Sequence, residues 1–139
     1  ATIHNPEKPM KQITIVHEDR AGLLADISEL LANVGVNIES IDAESVGSTA
    51  IVSLIVDRYD EALKALTDSP FHAISEEALV VCLPDKPGEL ARLMHRFKEA
   101  SLNLRSVIIL KRDAGKAFVA LVTSRTEEAI NLVKDVLVS

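Results

Sequence analysis

The chain of 139 residues has little of what a redox, metal or nucleic-acid site needs. It holds one cysteine, Cys82, so an internal disulfide or a site of several cysteines is excluded, and its histidines show no ligand-like spacing. It has no tryptophan and only 3% aromatic residues, whereas proteins that stack on bases expose aromatic rings. The net charge is −6, and the 15 Lys and Arg form no run that would neutralise phosphates. We therefore expect no metal, no cofactor and no nucleic-acid partner.

Long apolar stretches are also missing. No run approaches the length that spans a bilayer, and residues 1–11 contain no signal-peptide core. We therefore expect a soluble cytoplasmic protein without a membrane partner.

The sequence does contain an internal repeat. Asp19-Arg20-Ala21-Gly22 recurs 66 residues later as Asp85-Lys86-Pro87-Gly88, and Asn37-Ile38-Glu39-Ser40 recurs as Asn103-Leu104-Arg105-Ser106. This period is too long for a helical solenoid unit and is about the size of a minimal domain. The repeat predicts two sibling domains, residues 11–77 and 78–139, after an N-terminal segment at 1–10. Because each half alone would be marginally stable, we expect the two to pack side by side.

Hydrophobic periodicity gives the same order of elements in both copies. In the first, β-type alternation at 12–17, 37–45 and 49–56 is interleaved with helical spacing at 23–34 and 59–66, and a weak strand follows at 71–75. The second copy repeats this order up to a helix predicted at 127–138, and it has no clear fourth strand. The pattern predicts an α+β fold of two ferredoxin-like βαββαβ domains. The missing strand would leave the edge beside 78–83 bare, which favours a homodimer or a cover supplied by residues 2–6.

The repeated motif resembles the ACT domain, an amino-acid-sensing module of metabolic enzymes. The likeness rests on a strand followed by Asp-x-x-Gly-x-Leu at the start of a helix, and then on the turn that contains Asn37 or Asn103. Asp85-Lys86-Pro87-Gly88 is the fuller form of this signature, and Ala21 replaces the usual proline in the first copy. The resemblance implies a regulatory protein without catalytic activity, and in layout the chain is similar to short stand-alone tandem ACT proteins.

The residue types in the motif also suit an amino-acid ligand. A glycine at a helix start leaves backbone N–H groups open to an α-carboxylate, and Asp or Asn oxygens can accept from an ammonium group. The same residues have structural explanations, because Gly permits a tight turn, Asp caps a helix and Asn tolerates a left-handed turn. ACT pairs commonly set the first loop of one domain against the second strand of its neighbour. We therefore expect residues 19–23 to face Asn103, and 85–89 to face Asn37. The candidate ligand-binding residues are His17, Asp19, Ala21, Gly22, Leu23, Asn37, Asp85, Pro87, Gly88, Glu89 and Asn103.

His17 distinguishes the first copy from the second, where Leu83 takes its place. The segment 16–22 is similar to the serine-sensing ACT domain of phosphoglycerate dehydrogenase, with Asp19 in place of an asparagine. Because Leu83 offers no polar counterpart to His17, we expect the pocket holding His17 to bind more tightly. A histidine at a wet strand end is the structural alternative.

These observations predict a regulatory protein that binds a small amino acid between its two domains. One alternative is a regulatory subunit of a separate biosynthetic enzyme, resembling the acetolactate synthase small subunit and acting mainly by protein contact. The other is a structural dimer that has lost its ligand.

Overall fold

The computed structural model describes residues 11–71, 73–75 and 78–138. The first repeat forms β1 (Gln12–Glu18), α1 (Leu23–Asn33), β2 (Ile38–Val46), β3 (Thr49–Val56), α2 (Tyr59–Thr67) and β4 (Ala73–Ile74). The second forms β5 (Ala78–Pro84), α3 (Glu89–Glu99), β6 (Leu104–Asp113), β7 (Lys116–Thr123) and α4 (Thr126–Leu132). The α+β fold class with ferredoxin-like order in each repeat is confirmed. None of the helices in these ranges has the length and apolar character to cross a bilayer.

Each repeat builds one antiparallel sheet. The strand order is β2-β3-β1-β4 in the first and β5-β7-β6 in the second. β5, β7 and β6 are the counterparts of β1, β3 and β2, so the two sheets have the same topology. In both sheets the third strand of the repeat, β3 or β7, lies between the first and the second, and the second strand forms an outer edge.

The last residues of the described chain differ from the sequence expectation. The helix predicted at 127–138 ends at Leu132, and Leu137 forms an antiparallel bridge with Val81. Val138 N–H donates to the Val80 carbonyl at 2.8 Å, and Cys82 N–H donates to the Val136 carbonyl at 2.9 Å. Val81 is the counterpart of Ile15, which pairs with β4 in the first repeat. The fourth strand of the second repeat is therefore reduced to one bridge, and it covers the edge that was expected to be bare. The other expected cover, residues 2–6, lies outside the described residues.

Two cores lie between the helices and the sheets. In the first repeat, Leu23, Ile27 and Leu31 form the buried stripe of α1 and pack on the Ile13 and Ile15 side of the sheet. In the second, Leu93 and Phe97 of α3 pack on the corresponding sheet face. Each helix thus buries one face at helical spacing against alternate residues of the strands.

A third core joins the two sheets through their helix-free faces. Val16, Ile51, Val80 and Phe118, which we call the inter-sheet core, are each 3% exposed or less. Strand residues alternate between faces, so Val16 and Val80 point away from the helices that cover their neighbours Ile15 and Val81. The expectation that the repeats pack together is confirmed, and the contact is face to face.

Polar contacts extend this interface at the β2–β3 hairpin. Ser48 Oγ and Thr49 Oγ1 donate to Asp113 Oδ2 at 2.6 and 2.8 Å. Asp113 ends β6, so the hairpin of the first repeat is bound directly to the second repeat.

Candidate functional site

A cleft of about 440 Å³ opens where β1 passes into α1. Its floor and walls come from the β1–α1 turn, the first turn of α1, the end of β2 and two residues of β3. The lining residues are Asp19, Arg20, Gly22, Leu23, Leu24, Ala25, Ala43, Glu44, Ser45, Ala50 and Val52. We call this the first cleft. All of these residues belong to the first repeat.

Gly22 gives the first cleft its backbone donors. It is the N-cap of α1 at φ 82°, a left-handed conformation that glycine adopts without the steric cost of a side chain. No side chain in the described residues caps this helix end. Leu23 N–H donates to the Arg20 carbonyl at 3.3 Å. The N–H groups that follow it in the first turn of α1 meet the cleft at the positive end of the helix dipole.

Asp19 is the acid of the loop, and two contacts hold it. Its N–H donates to the Ser48 carbonyl at 2.9 Å, and Ser45 Oγ donates to its Oδ2 at 2.8 Å. Arg20 is turned along the helix, where it donates to Asp26 Oδ2 at 2.7 Å and to the Ala21 carbonyl at 3.2 Å. The loop thus presents a fixed carboxylate beside uncapped backbone donors.

The second repeat has the equivalent cleft, of about 210 Å³, which we call the second cleft. Gly88 caps α3 at φ 92°, and Asp85 N–H donates to the Gly115 carbonyl at 2.8 Å. Arg112 Nε donates to Asp85 Oδ1 at 3.3 Å. Glu89, the first residue of α3, does not line this cleft and forms an ion pair with Arg92 at 3.2 Å. The remaining lining residues are Leu83, Pro84, Lys86, Pro87, Leu90, Ile109, Ala117 and Val119.

The two candidate asparagines lie away from both clefts. Asn37 binds Asp57 through its N–H at 2.9 Å and its Nδ2 at 3.4 Å. Asn103 accepts from Thr123 Oγ1 through its carbonyl at 2.8 Å and lines a separate cleft beside Phe97 and Lys98. In the described part of one chain, the expected facing of residues 19–23 with Asn103, and of 85–89 with Asn37, is not seen. Neither asparagine lines the cleft of the other repeat, and the two repeats meet through the helix-free faces of their sheets.

His17 packs on the edge of the first core. Its ring lies 5.3 Å from the Phe71 ring, centroid to centroid, and its Nδ1 is 3.1 Å from the Glu18 carbonyl oxygen. It is not among the residues that line the first cleft, whereas its counterpart Leu83 lines the second.

Sequence reasoning missed the contribution of the second strand of each repeat. Ser45 lies 26 residues from Asp19, and Arg112 lies 27 residues from Asp85. The antiparallel hairpin returns the end of β2, and likewise of β6, to the loop after the first strand. The position of the hairpin turn in the sequence could have indicated these residues, because the turn fixes the register and so decides which residues of the second strand lie beside that loop.

Elsewhere, the described residues contain no group of three or more His, Cys, Asp or Glu side chains that could hold a metal ion. Cys82 is partly exposed, and burial raises the pKa of its thiol, an effect that Lys116 partly offsets.

Comparison with known proteins gives one family match and several similar structures. Residues 11–69 match the family model of the ACT domain. A crystal structure of a protein from Bacteroides thetaiotaomicron is 24% identical with a TM-score of 0.47, over 92% of this chain and 90% of that chain. The ligand-free regulatory subunit of aspartate kinase from Thermus thermophilus is 19% identical with a TM-score of 0.42, over 90% and 91%. An unknown protein from Galdieria sulphuraria is 15% identical with a TM-score of 0.41, over 90% and 89%. No curated protein matches the chain in sequence.

The family match runs from β1 through α2, which includes the whole first cleft. The second repeat has the same order of elements and the same Asp-x-x-Gly loop. Residues 11–69 of the chain therefore match the ACT domain, and the second repeat has the same architecture.

Proposed function

We propose that this chain is a non-catalytic regulatory protein that binds a small α-amino acid in the first cleft. The observation that carries the proposal is the Asp19 carboxylate, fixed by Ser45 beside the uncapped start of α1. An α-amino acid carries its carboxylate and its ammonium group on the same carbon atom, so the two charges lie close together. The cleft offers a complementary acid and complementary backbone donors next to each other.

The two ends of the ligand would use different parts of the cleft. The carboxylate accepts from the N–H groups in the first turn of α1, where the helix dipole favours an anion. The ammonium donates to Asp19, whose charge remains available because Arg20 binds Asp26 instead. The apolar floor of Leu23, Leu24 and Val52 suits a short side chain. The volume lies in the range of small-molecule pockets.

The composition of the lining supports binding rather than catalysis. Among the described residues of the first cleft there is no His, Cys or Lys, the side chains that most often serve as nucleophile or general base near neutral pH. We place the protein in the cytoplasm, where free amino acids would regulate a metabolic enzyme.

A second candidate function is that of a regulatory subunit that works by contact with a biosynthetic enzyme. Val107, Ile108 and Ile109 are 37 to 47% exposed on the edge strand β6. An apolar edge strand of this kind accepts another strand, either from an enzyme or from a second copy in a homodimer.

The test is a screen of the twenty amino acids for a rise in melting temperature of the full chain. An amino acid at one hundred times its Kd should add about 2.7 kcal/mol to the free energy of unfolding. Selective ¹⁵N-glycine labelling then locates the site, because the chain has five glycines and Gly22 reports the first cleft. The Gly22 amide signal should shift on titration with the amino acid found.

Asp19→Asn should weaken binding of that amino acid, since it removes the charge that meets the ammonium. Asp42→Asn, on the same edge strand as Ser45 but lining a different cleft, is the matched control and should bind like the parent. If no amino acid raises the melting temperature or shifts Gly22, the binding function is wrong. Pull-down of a biosynthetic enzyme by the same chain would then favour the second candidate.

A further inference from the structure

The two clefts are equivalent in fold but differ in charge. The loop of the first contributes Asp19 and Arg20, whose charges cancel. Glu44 pairs with Ile51 of the inter-sheet core, so its side chain lies on the opposite face of the sheet. The second is lined by Asp85, Lys86 and Arg112, a net charge of +1. The loop acid and the loop base are common to both repeats, so the difference comes from other positions.

The strand that ends beside each loop carries one of these positions. Ser45 pairs with Ala50 across the first hairpin, and Arg112 pairs with Ala117 across the second, so the two residues are equivalent. Each contacts its loop aspartate. The second repeat therefore has a base where the first has a neutral residue.

A second position lies on the helix, where the charge is reversed. Asp26 binds Arg20 in the first repeat, at 2.7 Å. The residue 66 positions later is Arg92, which pairs with Glu89 at 3.2 Å. Lys86, the counterpart of Arg20, therefore has no acid at the position that holds Arg20 along α1. The positive charge of Lys86 therefore contributes to the lining of the second cleft.

We propose that the second cleft binds a small dianion of the dicarboxylate or phosphate class, and that Arg112 determines this specificity. Arg112 donates to Asp85 through Nε–H, which is only one of the five N–H donors of its guanidinium group. The remaining donors, Lys86 and the uncapped start of α3 at Gly88 surround a cleft of about 210 Å³, which suits a compact anion. This proposal rests on the proposed function only where it contrasts the anion with the zwitterionic amino acid bound in the first cleft.

The experiment uses the full chain labelled with ¹⁵N-glycine and titrated with succinate, inorganic phosphate and neutral succinamide. Gly88 reports the second cleft and Gly22 reports the first, so the two sites are read in one spectrum. Succinate or phosphate should shift Gly88, and succinamide should not. The more effective of the two anions tells which kind of dianion fits.

Two substitutions test the role of Arg112. Arg112→Ser installs the residue of the first repeat and should weaken anion binding about tenfold or more, the usual loss for a hydrogen bond to a charged group. Arg105→Ser, an exposed base near the far end of the same strand, is the matched control and should bind like the parent. Ser45→Arg should make Gly22 respond to succinate.

Failure of this inference is distinguishable from failure of the proposed function. An amino acid that shifts Gly22 supports the first cleft whatever the anions do. If neither anion shifts Gly88, if succinamide shifts it equally, or if Arg112→Ser binds the anion like the parent, the anion site is wrong.

Discussion

The inter-sheet core makes a prediction about how strongly the two repeats depend on each other. Phe118 is 1% exposed and lies on the helix-free face of β7, where it packs against Val16, Ile51 and Val80. Phe118→Ala removes an aromatic side chain from the contact between the sheets. It leaves the core beneath the helices of each repeat intact, because those residues lie on the other face of the strands.

The expected loss follows from the burial of this side chain. Full burial of a Phe side chain contributes about 1.5 to 3 kcal/mol, and the cavity left by alanine brings the cost to about 3 to 5 kcal/mol. A domain of ordinary stability has about 5 to 15 kcal/mol in total, so this one change would consume a large fraction of it. For a chain of this size the melting temperature should fall by roughly 10 °C.

Calorimetry and urea unfolding of the full chain would measure this loss. The parent should unfold in a single calorimetric transition, because two small repeats that share a core are stabilised together. Phe97→Ala, which lies at 2% exposure in the core of the second repeat, is the positive control and should lose a comparable amount. Ile108→Ala, at 47% exposure, should lose much less. If Phe97→Ala shows the full loss while Phe118→Ala loses less than about 1 kcal/mol, the face-to-face packing is wrong.

Three further predictions concern single sites. Gly88→Ala should lower the free energy of unfolding in urea by about 1 to 2 kcal/mol, because a residue with a side chain is strained at φ 92°. The added Cβ meets no atom within 4 Å, so no steric clash contributes, and an unchanged midpoint would contradict the left-handed cap. The hydroxyls of Ser48 and Thr49 hold the pKa of Asp113 below its ordinary value of 3.8. The stabilising contribution of the Asp113 carboxylate is therefore complete above about pH 5 and is lost as the pH falls through the lowered pKa. Asp113→Asn should remove this part of the pH dependence of unfolding. Val138→Pro removes the N–H that donates to Val80, so it should lower stability by about 1 kcal/mol and raise self-association through the uncovered β5 edge, which light scattering would detect.

The fold could be predicted because the same pattern of strands and helices occurs twice in the sequence. Leu23, Ile27 and Leu31 fall at helical spacing, and the strands alternate, so both local signals and the repeat at 66 residues favour the same order of elements. The exception is the end of the described chain, where helical spacing at Ile130, Val133 and Leu137 continues beyond the true end of α4. This segment instead pairs with the edge of β5, where Leu137 bridges Val81, and that pairing takes the place of further helical turns. Hydrophobic periodicity cannot predict this outcome, because it carries no information on which strand edges are unpaired.

The candidate site could be predicted only in its local part. The two Asp-x-x-Gly loops lie at cleft walls because a helix start after a strand is encoded within a few residues. Ser45 and Arg112 were missed because the hairpin brings them from 26 and 27 residues away. The roles expected of Asn37 and Asn103 depended on how two domains face each other, which no local pattern specifies. In the structure, Asn37 instead binds Asp57.

The hydrogen bonds of the β2–β3 hairpin have a consequence for how the two clefts influence each other. Ser48 holds the Asp19 loop through its carbonyl and holds Asp113 through its hydroxyl, and the neighbour of Asp113 is Arg112, which contacts Asp85. The loop of each cleft is therefore connected to the other by one continuous set of short contacts. If a ligand in one cleft changes the affinity of the other cleft through this hairpin, a ligand in the second cleft must change the affinity of the first by the same factor.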